Sequence, residues 1–296
     1  MHIPVLLHET IELLDIRSDD TVLDCTFGAG GHSKAISKML GAKGVLVGLD
    51  ADGTAIARAK VKIGKTKCTA HFIQENFRHL DSALDEIGIT EVDKIFLDLG
   101  FSSDQLEASG RGFSFQKDEP LMMTLSDKPA KDDLTAEEIV NEWEEGNIAD
   151  ILYGFGGERF SRRIAKGIVE ARKEKRIKTT GELVEIIERN VPKPYRRGRT
   201  HSATKTFQAL RIAVNDELGA LAEALEKGTE RLAKDGRIAV ISFHSLEDRT
   251  TKEFFKKKVQ DGAIMILTKK PIVVGREEKL RNPRSRSAKL RGAAKI

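Results

Sequence analysis

The stretch Val22-Leu23-Asp24-Cys25-Thr26-Phe27-Gly28-Ala29-Gly30-Gly31-His32 constrains this chain more than any other. An apolar run leads into a cluster of glycines and then into residues that suit a helix start. That order predicts a buried strand, a tight turn and a helix. Gly44-Val45-Leu46-Val47-Gly48-Leu49-Asp50 follows as a second strand and ends in an acid 22 residues past Gly28. Glycines let a backbone come close to a ligand, and the first turn of a helix offers free N–H groups. An acid at that spacing can accept from both hydroxyls of a ribose. Together these residues predict a βαβ unit with a pocket for a nucleoside-bearing cofactor.

The third helical position narrows the choice of cofactor. A dinucleotide fingerprint wants a third glycine at position 33, where helix and strand pack closely. This chain has Ser33 there, after His32. The turn therefore fits a ligand without a pyrophosphate better than NAD. S-adenosylmethionine, with a ribose, an adenine and a charged amino-acid tail, is such a ligand. An NAD-dependent oxidoreductase remains the rival reading at this point.

Residues 21–98 alternate strand and helix. Short apolar runs at Val22–Cys25, Val45–Asp50, Ala70–Ile73 and Ile95–Asp98 are separated by helical patterns near 33–40, 53–63 and 79–87. That rhythm predicts an α/β fold with a doubly wound, mostly parallel sheet. Residues 101–133 read as an extended loop, and the pattern from Leu134 to Asn190 is helical throughout. A long helix is predicted near 203–233. Strand character then returns at Gly236–Phe243 and at 262–268. An inserted all-helical domain over 106–200 follows, within a cofactor-binding domain made of 1–105 and 201–296. Open α/β sheets bind ligands beyond the carboxyl ends of their strands. Gly28–His32, Asp50, Asp98 and Phe243–His244 all fall at such ends and are expected to converge.

The chain has 296 residues and is 40% hydrophobic, enough for a real core. No apolar run reaches the roughly 18–20 residues of a membrane helix. The start, Met1-His2-Ile3-Pro4-Val5, does not read as a signal peptide, so a cytoplasmic location is expected. Cys25 and Cys68 lie in strand-like runs and read as small buried hydrophobes; no metal site is expected. The net charge of +4 hides an asymmetry. Residues 158–205 carry 15 Lys and Arg against 6 Glu, and residues 269–296 carry 10 against 2. Two basic zones on an otherwise acidic body predict a polyanion, nucleic acid above all, as partner. Aromatic residues make up only 5% of the chain, so phosphate and shape contacts should outweigh base stacking.

Six segments in order also match one family. They are Asp24–Ser33, Leu97-Asp98-Leu99-Gly100-Phe101-Ser102-Ser103-Asp104-Gln105-Leu106, Arg111-Gly112-Phe113-Ser114-Phe115, Thr206–Leu218, Ser242-Phe243-His244-Ser245-Leu246-Glu247-Asp248-Arg249 and the tail Asn282–Arg291. With these the chain resembles the bacterial MraW family of ribosomal RNA small subunit methyltransferases, from Pro4-Val5-Leu6-Leu7 to the tail. The resemblance implies a Rossmann-like class I methyltransferase with S-adenosylmethionine as cofactor. It implies transfer of a methyl group to the exocyclic N4 of a cytidine in the decoding region of 16S rRNA, on the small ribosomal subunit. Carried over position by position, the cofactor residues fall on Gly30, Gly31, His32, Asp50, Phe77, Asp98 and Gln105. A non-catalytic RNA-binding assembly factor, or a methyltransferase with a different RNA target, is the alternative; a homodimer is left open.

In chemical terms, Gly30 and Gly31 would let the backbone approach the methionine part, with His32 bonding its carboxylate. Asp50 would take the ribose and Phe77 the adenine face. Cytosine N4 is a poor nucleophile because its lone pair is delocalised into the ring, so a proton acceptor is needed. Asp98, the Leu99 carbonyl and His244 are the candidates, with Asp98 and His244 as the expected catalytic side chains. A structural histidine bonded to Glu247 or to backbone is the competing role for His244. Phe101, Phe113 and Phe115 could stack on a base drawn out of its helix. The chain departs from the family at Pro120-Leu121-Met122-Met123-Thr124-Leu125, where Pro-Leu-Asp-Met-Arg-Met is usual. A paired loss of acid and arginine strands no charge, so a re-built loop is expected there. Ser202 standing for a family proline is a minor change.

Overall fold

A computed structural model of the chain describes residues 4–100, 109–198 and 200–296. The chain divides into two compact units, residues 1–102 with 218–296 and residues 103–217.

The first unit is built on one mixed sheet. Its parallel part comprises β1 (Thr21–Asp24), β2 (Val45–Asp50), β3 (Thr69–Gln74), β4 (Val92–Asp98) and β5 (Leu232–Ser242). β6 (Ile264–Ile266) and β7 (Ile272–Val273) both pair with β8 (Lys289–Lys295), which runs antiparallel beside β5. The strand order is β3-β2-β1-β4-β5-β8-β6. Alternate residues of the strands serve opposite faces. Leu23, Ile95, Leu97, Ile238 and Val240 meet α4 (Leu80–Glu86), α11 (Glu217–Arg231) and α12 (Ser245–Gln260) through Leu84, Leu225 and Phe255. Phe96, Ala239, Ile241 and Leu290 meet α1 (Leu7–Leu14) through Leu14 on the other face. There Val22 and Leu46 also cover Ile36 of α2 (Gly31–Met39). α3 (Gly53–Ile63) starts at Asp52, whose carboxylate accepts from the Thr54 and Ala55 amides.

The second unit is helical. It holds α5 (Ala136–Glu142), α6 (Glu145–Gly154), α7 (Ser161–Glu174), α8 (Thr180–Asn190), α9 (Lys193–Arg196) and α10 (Thr204–Asn215). Capping boxes start α5 at Thr135 with Glu138, and α8 at Thr179 with Glu182. Residues 109–135 carry no helix, as the Ser-, Gly- and Pro-rich composition suggests.

Three sequence expectations change. The long helix over 203–233 is two helices, broken at Asp216, which adopts φ +42°. The unit boundary therefore falls at 217/218, not at 200/201, and α10 belongs with the helical unit. The end of the basic tail, for which no strand is predicted, forms β8. No helix among the described residues is long and apolar enough to cross a membrane.

Candidate active site

The glycine turn is shaped by contacts that the sequence pattern does not show. Gly28 and Gly30 take positive φ, +49° and +69°. The Gly28 amide donates to Asp50 Oδ2 at 2.7 Å, and the Asp52 amide donates to Oδ1 at 2.8 Å. The Asp50 carboxylate thus faces the turn. Gly31 is a glycine for a different reason than expected. A Cβ there would lie 2.5 Å from Pro4 Cγ, so its close approach is to the chain's own start. Phe27 points away into the core, its ring 4.6 Å from Phe72, and leaves no room for a side chain at Gly48.

Three side chains at the ends of β1 and β4 form one hydrogen-bonded group with the start of α2. Asp24 is buried and accepts from the Ser33 hydroxyl at 2.5 Å and from the Thr26 amide at 3.1 Å. Thr26 Oγ1 accepts from the Asp98 amide at 2.6 Å, which links the two strands. Burial pushes the Asp24 carboxyl up to about 6, against the pull of the Ser33 and Thr26 hydrogen bonds and with repulsion from Asp50. Burial also pushes Asp98 up to about 7; Asp24 and Glu247 add repulsion, while the Gly100 amide holds it down. Asp98 Oδ1 is buried with no hydrogen-bond partner among the described residues. A buried oxygen of that kind is costly unless a ligand completes it.

His32 is committed to the protein on both sides of its ring. Nε2 lies 3.0 Å from the Val5 carbonyl, so it must carry the hydrogen. Nδ1 lies 3.5 Å from Asp98 Oδ2, and the ring rests against Phe96. The expected bond from His32 to a cofactor carboxylate therefore gives way to a contact that aims Asp98. Ser33, read at first as the residue that disfavours a dinucleotide, is the donor that holds Asp24.

His244 serves a helix start with one ring nitrogen, while its Nε2 is buried with no hydrogen-bond partner among the described residues. It caps α12: Nδ1 accepts from the Glu247 amide, and Glu247 Oε2 accepts from the Phe243 and His244 amides. Its remaining nitrogen lies 3.1 Å from Glu247 Oε1. Phe243 packs over Gly100, where a Cβ would lie 2.6 Å from its ring. Phe77 is partly buried against the main core of the sheet unit. Gln105 and Phe101 lie outside the described residues. Phe113 is buried under Arg111, and the partly buried Phe115 is stacked on His201 at 4.5 Å and edge-on to Phe207, so both rings already pack within the helical unit.

The divergent 120–125 loop is re-built from backbone contacts. Arg111 is buried and donates to the Thr124 and Leu125 carbonyls. Asn215 donates to the Met123 carbonyl and accepts from the Leu125 amide, both within 2.9 Å. Met123 itself takes φ +57°.

Comparison with known proteins agrees along the whole chain. The model of the MraW methylase family matches residues 1–296. A Clostridium botulinum (strain Kyoto) protein named Ribosomal RNA small subunit methyltransferase H is 47% identical over 310 residues, covering 100% of this chain and 99% of that one. A Heliobacterium modesticaldum protein of the same name is 46% identical over 311 residues, covering 100% and 98%. Among solved structures, an rRNA methylase from Streptococcus thermophilus aligns with a TM-score of 0.45 at 9% identity, covering 100% of this chain and 99% of that chain. Matched by the family model from end to end, and nearly half identical to full-length relatives, this chain belongs to the MraW methylase family.

Proposed function

We propose that the protein transfers a methyl group from S-adenosylmethionine to the exocyclic N4 of a cytidine in the decoding region of 16S rRNA. Family membership and the names of the relatives support small-subunit rRNA as the substrate. The observation that carries the chemistry is Asp98: a largely buried carboxylate at the end of β4, one oxygen without a hydrogen-bond partner among the described residues, whose amide is bonded to Thr26 of the glycine turn.

The residues fit the cofactor. Gly28 and Gly30 give the turn its left-handed backbone, and Asp50 is aimed at that turn, where an acid can take a ribose. Phe77 and Gln105 remain proposed contacts through the family resemblance. When bound, the cofactor supplies a sulfonium methyl to an in-line displacement. The protein's own part is positioning and proton handling. The amino group of cytosine must lose a proton as its nitrogen gains a methyl group. Asp98 is the acceptor of choice, because an ionised carboxylate accepts only, and its raised pKa makes it a competent base near neutral pH. With its hydrogen on Nε2, His32 offers Nδ1 as an acceptor 3.5 Å from Asp98 Oδ2, which favours the protonated carboxyl. His244 gives its Nδ1 to the α12 cap and keeps Nε2 as the second candidate acceptor.

The deciding experiment is methylation of purified small ribosomal subunits with labelled S-adenosylmethionine, followed by mass mapping of the modified nucleotide. N4-methylcytidine that vanishes in Asp98→Ala supports the assignment. Label at another nucleotide, or equal activity in the variant, rejects it.

A further inference from the structure

The two basic zones of the sequence are not equivalent in the structure. In the tail, Lys289 and Arg291 both pair with Asp248, at 2.8 and 2.7 Å. In the helical unit, the carboxyl end of α7 is likewise tied into the fold. Arg172 donates to the Val140 and Trp143 carbonyls, Lys175 meets Glu182, and Arg176 meets Glu137 and Glu142. The amino end of α7 is different. Arg159, Arg162 and Arg163 are exposed and have no carboxylate partner among the described residues. Cations at a helix amino end work against the macrodipole, so their placement does not serve the helix.

Arg159 is nonetheless held in place. Its guanidinium lies 4.9 Å from the ring centres of both Phe160 and Tyr195, and that of Arg163 lies 5.9 Å from Phe160. The two rings meet edge to face at 4.9 Å. Beneath them sits Glu158, which is fully buried. It accepts from the Tyr195 hydroxyl at 2.6 Å and from the Phe160 amide at 2.9 Å. Burial, reinforced by Glu158, keeps the phenol protonated, pushed up to about 12. A buried carboxylate is thus used to fix two rings, and the rings fix an arginine that forms no salt bridge among the described residues. An arginine stacked on aromatic faces keeps its N–H edge for a planar or tetrahedral anion.

We propose that Arg159, Arg162 and Arg163, set on the Phe160–Tyr195 ring pair, form a docking surface for the phosphodiester backbone of the substrate RNA. The proposal rests on the rRNA reading above and names where the helical unit takes hold of that RNA. Recognition here is by phosphate charge, in keeping with the low aromatic content of the chain.

The test is binding of the full-length protein to protein-free 16S rRNA across a salt series. Arg159→Ala/Arg163→Ala should lose about tenfold or more in affinity, and its slope of log affinity against log salt should be shallower by about 1–2. Arg189→Ala, whose arginine is paired with Glu185 on the same unit, should match the parent. Arg159→Lys should keep the salt slope but recover only part of the affinity, because an ammonium does not stack. An unchanged melting temperature shows that the variants fold. Equal affinity and slope in the double variant overturn the proposal. So does normal binding to bare rRNA with lost association to assembled subunits, which assigns the surface to a ribosomal protein. A parent protein that binds no rRNA at all overturns the underlying rRNA reading instead.

Discussion

Asp24 and Asp98 end neighbouring strands, the first buried and the second largely so, and neither is comfortable when ionised. Their raised values, about 6 and about 7, lie above the ordinary carboxylate range. The folded state therefore holds protons that the unfolded chain has already released between about pH 4 and pH 7. Stability must fall as pH rises through that window and level off above it. Asp98→Asn removes one of the two charges and should stabilise the protein by about 1–3 kcal/mol at pH 8, with the gain shrinking toward pH 4. Thermal unfolding at several pH values checks this; a variant less stable than the parent at pH 8 contradicts it. The same group sets the activity profile. On the proposed mechanism transfer requires ionised Asp98, so its rate should rise with pH through about 7, and Asp98→Asn should be inactive at every pH. The position of Asp98 was legible in the sequence, because a strand-end acid in an α/β rhythm can point only toward the ligand edge. The roles of His32, Ser33 and Gly31 were not. A polar or small residue beside a glycine turn reads as a ligand contact, and only the fold shows that Val5, Asp24 and Pro4 already occupy those partners.

Elements differ in how far their own residues declare them. β1 to β4 and α2 to α4 were plain from period alone, since each buries an apolar run or stripe. β8 was hidden because its sequence, Lys289-Leu290-Arg291-Gly292-Ala293-Ala294-Lys295, is rich in charge and small residues. It is a strand because Asp248 on α12 neutralises two of its cations, and because Gly292 sits against Leu13, where a Cβ would be 2.6 Å from Cδ2. The amino end of α12 makes a sharper test. If His244 is a cap, His244→Asn should preserve both stability and the pH–rate profile, since asparagine caps well, whereas His244→Ala should cost about 1 kcal/mol. A shift in the acid limb of the profile with His244→Asn would return the histidine to the chemistry. In the helical unit, Asn215 at the end of α10 holds the divergent loop by two backbone bonds. Asn215→Ala leaves the Met123 carbonyl and the Leu125 amide without it, and should cost about 1–3 kcal/mol in denaturant unfolding. A cost near zero would mean that the loop does not depend on this anchor.

At the scale of the whole chain, the division into a sheet unit and a helical unit followed from the interruption of the strand rhythm. Its carboxyl-side boundary did not, because no glycine or proline marks the break at Asp216; a left-handed aspartate does. The last strand matters most here. β8 runs beside β5 over residues 289–294, and its other side is shared by β6 and β7. Leu290 and Ala293 are fully buried, on opposite faces of the sheet. Those final residues thus tie the parallel strands to two short strands that have no other partner among the described residues. A basic tail that merely touched RNA could be removed with loss of RNA affinity alone. A strand in this position cannot: deleting residues 289–296 exposes one edge of β5, strips β6 and β7 of pairing and uncovers both faces' apolar contacts. The truncated chain should lose cooperative unfolding and cofactor affinity together, read by circular dichroism and by calorimetric titration with S-adenosylmethionine. Neutralising the same segment without shortening it, as Lys289→Gln/Arg291→Gln, should cost far less, because the strand's backbone pairing survives. If instead the truncation folds like the parent and binds the cofactor equally well, β8 is an appendage, and the sheet holds together without its last strand.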